Sequence, residues 1–139
     1  MGITTISNKY FLGALIPNVK ILSSKIDEII NVINGTYSTV TQATSITTGV
    51  TINATKGVIT TVALTTAAST VAGPFTVTNS KVLSTSVIKV NVEYANGKTG
   101  FPVILIEGVA AGTFKIRLIN VHTSAALNAV VKLHFTITN

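Results

Sequence analysis

At 139 residues, with 47% apolar and only 10% charged side chains, the chain is long enough for one packed domain plus an extension. It has no cysteine, which excludes a disulfide framework and a cysteine-ligated metal. A formal net charge of +6 would suit an anionic partner. However, Lys56, Lys81, Lys89, Lys98, Lys115, Arg117 and Lys132 fall singly along the chain without interleaved aromatics, which predicts solvated outer faces, at most a diffuse attraction to an acidic surface, and no specific nucleic acid.

Threonine and serine, 23 and 10 residues, replace the missing charge. Threonine is β-branched and suits a half-buried pleated surface, so the composition favours strands. Mean hydropathy is +0.59, yet apolar runs such as Phe101 to Ile106 fall far short of the roughly 20 residues of a spanning helix, and no membrane span is expected. Only Lys9 precedes the apolar run Tyr10 to Ile16, which does not make the basic start of a secretory leader.

In chain order, residues 1–18 show no period but carry Ile3, Ile6, Tyr10, Phe11, Leu12, Leu15 and Ile16, too apolar for a free tail. They form a candidate anchoring arm that docks on the protein's own body, on a neighbouring subunit or on a larger assembly. Val19 to Asn34 is the one stretch with helical spacing. Val19, Leu22, Ile26, Ile29 and Ile33 step by three and four residues, the seam of a coiled coil. Asn18 can cap the start, and Gly35 can take the left-handed stop. Such a helix is about 24 Å long and marginal alone in water, so it needs a partner, either its own β domain or copies of itself. Isoleucine at both core positions favours three or more strands over two.

Residues 36–44 read as a Thr/Ser-rich connector and 45–139 as a β domain, giving the order arm 1–18, oligomerisation helix 19–35, connector and sandwich. Apolar alternation marks Ile88, Val90, Val92 and Tyr94, then Phe114, Ile116 and Leu118, and finally Val131, Leu133, Phe135 and Ile137. Asn96-Gly97 is a tight-turn dipeptide. Val103, Ile104, Leu105 and Ile106 run consecutively, as in a strand covered on both faces. Seven or eight short strands with Gly, Asn, Pro and Ser punctuation predict a mainly β fold, an antiparallel β-sandwich or jelly roll. Val87, Ile104, Ile106, Ile119 and Val130 lie out of phase with that core, which points to a subunit interface.

Chemistry is sparse. Asp27, Glu28, Glu93, Glu107, His122 and His134 are the strong acid, base or ligand candidates, and they assemble no nucleophile, base and orienter. His122 and His134 could meet across a hairpin, but two imidazoles without a third ligand make a poor metal site. No Gly-rich phosphate loop is present. The sequence therefore predicts no enzyme, cofactor, metal or small-molecule substrate.

An apolar arm, an isoleucine-seamed helix, a Thr-rich connector and a small sandwich of Thr/Val strands form a layout that resembles the small trimeric β-rich proteins of phage and other virus particles. These are head-decoration proteins, head fibres and fibre tips. Lys25 to Gly35, KIDEIINVING, is similar to trimerising segments of phage fibres, and Thr41 to Thr51, TQATSITTGVT, and Asn120 to Asn128, NVHTSAALN, are similar to stretches of viral structural proteins. The resemblance implies a homotrimer at the virion surface, assembled in the host cytoplasm, bound at one end to a capsid or tail lattice protein and presenting its β head. The alternative is an extracellular adhesin or lectin-like sandwich that recognises glycans or a host surface through Ala67 to Gly73 and Ala95 to Gly100.

Overall fold

The computed structural model describes residues 19–27, 29 and 36–139, and the chain divides into two units, 1–35 and 36–139. In the first unit residues 19–27 and 29 are helical, where the spacing predicts a helix. The seam position Ile33 and the arm residues Ile3, Ile6, Tyr10, Phe11, Leu12, Leu15 and Ile16 lie outside the described residues.

The second unit is sandwich-like, with eight strands: β1 (Tyr37–Thr41), β2 (Val50–Thr51), β3 (Lys56–Thr60), β4 (Val71–Thr78), β5 (Val87–Tyr94), β6 (Pro102–Ala110), β7 (Thr113–Asn120) and β8 (Val131–Thr138). They form two four-stranded sheets, ordered β1-β3-β8-β5 and β2-β4-β7-β6. From β3 onward the chain crosses between sheets at every connection except the β6–β7 hairpin, and every pairing among β3 to β8 is antiparallel.

Two pairings depart from the antiparallel expectation. β1 runs parallel to β3, and β2 parallel to β4. Parallel neighbours need a crossover, and here the chain passes through the opposite sheet as β2 before returning as β3. The segment expected as a connector thus contains β1, whose Tyr, Thr and Val residues favour strand and whose Val40 packs against the core. Gly57 admits it: a Cβ at that position would lie 2.0 Å from the Ser38 carbonyl oxygen and 3.1 Å from the Phe135 ring.

The alternating residues of β7 and β8 fill the core as the pattern predicts. Phe114, Ile116 and Leu118 of one sheet and Val131, Leu133, Phe135 and Ile137 of the other are buried, with Ile59, Phe75 and Val77 between them. Each such side chain contributes about 1.5–3 kcal/mol by leaving water.

β6 differs from its expectation. It lies at a sheet edge, with Ile104, Ile106 and Val109 packed against the core and Val103 and Leu105 exposed on the other face. Ile104 and Ile106 are therefore core-facing rather than out of phase. Strand alternation assigns half of a four-residue aliphatic run to each face, and among the described residues the outer half, Val103 and Leu105, is exposed.

Candidate functional site

The helix seam is exposed along its described length: Val19, Leu22, Ile26 and Ile29 are 56, 61, 46 and 54% accessible. Lys20, Ser23 and Asp27 occupy other positions of the same helix. Every described residue of this helix is exposed, the apolar seam included.

On the β unit, a second apolar surface occupies one corner of the β2-β4-β7-β6 sheet. Register places Ile119 between Val71 on β4 and Val103 on β6, so the three form one row across three strands. Phe101, just before β6, lies beside Val121, whose N–H donates to the Phe101 carbonyl at 3.1 Å. Leu105 extends the strip along β6, and Val71, Phe101, Val103, Leu105 and Val121 are all exposed.

This corner is held rigid from beneath. Asn120, fully buried at the end of β7, accepts from the N–H groups of Phe101 and His122 at 3.1 and 3.2 Å. Its Nδ2 lies 2.9–3.1 Å from the carbonyls of Thr66, Ala67 and Ala125, which share its two N–H groups. The His122 ring stacks on Phe101 with centroids 5.2 Å apart, and its Nδ1 accepts from the N–H groups of Ser124 and Ala125. Gly100 turns the chain into this arrangement at φ +83, pressed against Leu127 so closely that a Cβ would lie 2.8 Å from its Cδ2.

Charge is arranged around the corner rather than in it. Arg117 Nε and Nη2 donate to both oxygens of Glu107 at 2.5 and 3.1 Å. That paired hydrogen bond holds the Glu107 carboxyl below its ordinary value of 4.5 and pushes the Arg117 guanidinium up. On the outer face of the other sheet, Lys132 Nζ and His134 Nε2 donate to the two oxygens of Glu93 at 2.8 and 2.7 Å. The hydrogen bond from Lys132, and after it that from His134, holds Glu93 low, and the same contact raises Lys132.

The two histidines do not meet. His122 belongs to the loop after β7, and His134 faces outward from β8. Among the described residues no three His, Cys, Asp or Glu side chains gather as a metal site would require, and no helix is long and apolar enough to cross a membrane. Both loops proposed for glycan contact border open grooves. One, of about 510 Å³, is lined by Thr44, Ser45, Leu64, Thr66 and Val71 among others. The second, of about 390 Å³, is lined by Tyr94, Asn96, Lys98 and Phe101.

No family model, no curated protein and no solved structure matches the chain.

The sequence reading missed the corner strip and its clip. Phe101, just before β6, and Val103 and Leu105 within it alternate in sequence as a second apolar phase. Asn120 gave no signal, because a buried amide whose partners lie up to 54 residues away has no local pattern.

Proposed function

We propose that the chain is a structural protein of a virus particle, a homotrimeric capsid decoration, cement or head-fibre protein. It attaches to a capsid or tail lattice protein through residues 1–18 and displays the sandwich at the virion surface. The observation that carries this reading is the isoleucine-rich seam Val19, Leu22, Ile26 and Ile29, exposed in the single chain. Its composition favours three strands over two. A seam this short holds copies together only with help from the β unit.

We also read the sandwich as a shortened jelly roll. The winding of β3 to β8, in the order 3-8-5 over 4-7-6 with a single within-sheet hairpin, supports it, and β1 and β2 are then parallel additions at the edges.

Native mass spectrometry or light scattering tests the reading. The expected particle has three times the 14.5 kDa protomer mass, and Ile26→Asp with Ile29→Asp reduces it to one. A wild-type chain that remains single at high concentration overturns the assembly reading. Deleting residues 1–18 should leave the oligomer soluble and abolish its attachment to particles.

One observation favours the second reading, a lectin-like adhesin: the exposed Phe101 ring, stacked on His122, beside the groove lined by Tyr94, Asn96 and Lys98. Aromatic faces beside hydrogen-bonding side chains suit a sugar ring. Absence of binding on a glycan array at high avidity would count against it.

A further inference from the structure

The two long strands at one side of the sandwich, β5 and β6, are both edges, and they differ in kind. Beyond Val87 at its start, β5 turns Lys89, Asn91 and Glu93 outward, the polar protection an edge strand usually has. β6 instead turns Val103 and Leu105 outward while its inner face is already committed to the core. With Phe101, Val121 and Val71 the outward face makes a continuous apolar strip of a few hundred Å², the range at which such patches on a monomer mark interaction sites.

Charge decides what the strip can meet. Residues 36–139 carry seven basic side chains against two carboxylates, a formal +5, and both carboxylates are already paired within the chain. Copies of such a body repel wherever their lysines face one another. Lys56 and Lys89 lie on the outer face of the β1-β3-β8-β5 sheet in one row across Thr136, beside the Lys132–Glu93 pair, so an acidic partner would meet that face. The strip itself is uncharged: Arg117, opposite Leu105, is neutralised by Glu107, and the exposed Lys115 lies further along the same face, beyond the corner. It is the surface through which like-charged copies can touch.

Size points the same way. A standard interface takes about 800 Å² from each partner, more than the strip offers, so it functions only if something else holds the partner close. A helix seam shared by the copies would supply that effective concentration.

We propose that the Phe101–Val103–Leu105–Val121–Val71 corner is a contact surface between copies of this chain, additional to the helix seam. This rests on the self-association reading above. In the full-length chain, Val103→Lys with Leu105→Lys should raise by at least about tenfold the concentration at which the oligomer half-dissociates, because two ammonium groups would be buried without partners. Thr138→Lys, on the outer face of the other sheet, should leave that concentration unchanged. If the lysine variant fails to fold by circular dichroism, Leu105→Cys replaces it, since the chain has no other thiol. Thiol reactivity follows access, so labelling of that variant by a maleimide should slow by about tenfold or more between dissociating and associating concentrations, while Thr138→Cys labels equally at both.

An oligomer whose dilution curve ignores the lysine pair, or a labelling rate of the Leu105→Cys variant that is independent of concentration, overturns the proposed contact while leaving the helix reading intact. A wild-type chain that never associates overturns both.

Discussion

Asn120→Ala should be the most damaging single polar substitution in the β unit. The truncation removes two acceptances and the two N–H groups shared among three carbonyls, at a site with no exposed surface. Two of the five partners keep a second bond: the Thr66 carbonyl still accepts from Leu127 N–H, and the Ala67 carbonyl from Thr70 Oγ1. The Ala125 carbonyl and the N–H groups of Phe101 and His122 are left without the amide. At about 1 kcal/mol for each stranded group, with a small cavity added, the loss is about 3–4 kcal/mol.

For a body of roughly a hundred residues, each kcal/mol lowers Tm by about 4–8 °C, so a fall of about 12–32 °C is expected. Thermal unfolding of the full chain by circular dichroism measures it, with urea unfolding as a check on the free energy. The substitution should also release the Phe101–His122 stack, seen as His122 ring protons moving to ordinary solvent-exposed shifts in the NMR spectrum. A drop below about 4 °C with the ring shifts intact would refute the claim that this amide holds the corner.

Gly57→Ala places a methyl where the Ser38 carbonyl lies, so β1 must move away. Amide exchange in Tyr37–Thr41 should accelerate to the rate of an unpaired strand while β8 stays protected, at a cost of about 1–3 kcal/mol. Glu93 and Glu107 titrate lower in the folded state than unfolded, so the stability they add is present above the ordinary 4.5 and is lost as pH falls through their depressed folded values. Glu93→Gln with Glu107→Gln should therefore flatten the decline of the urea midpoint below pH 4.5. An unchanged acid slope would show that neither pair matters to folding.

How far the sequence reaches can be seen strand by strand. β7 and β8 were legible because Phe114, Ile116, Leu118, Leu133 and Phe135 alternate strictly, and a strand buried on one face must show that period. The helix was legible for the same reason at a different period. β1 was not, because YSTVT has a single aliphatic residue and is stabilised by a parallel neighbour that only Gly57 admits. The run Val103 to Ile106 places aliphatic side chains on both faces of β6, but only Ile104 and Ile106 pack against the core, and sequence does not say whether the second face is covered. The parallel placement of β1 and β2 is likewise a matter of long-range topology, without a local signature.

Salt separates the contacts this molecule can make, because the two outer faces differ in charge. Exposed charges act over about 10 Å at 0.1 M salt and much less at 1 M. A lattice contact through Lys56 and Lys89 would draw on attraction to an acidic surface, so it should weaken steadily as salt rises. Contact between copies through the uncharged corner has no such attraction to lose. Each added protomer instead brings a formal +5 from residues 36–139 toward others like it, and screening relieves that repulsion. Self-association should therefore hold steady or tighten from about 0.1 to 1 M sodium chloride, while binding to an anionic surface fades over the same range. Sedimentation at the two salt concentrations reads the sign directly. Oligomers that dissociate as salt rises would place the contact between copies on the charged sheet, and the apolar corner would then need a different occupant.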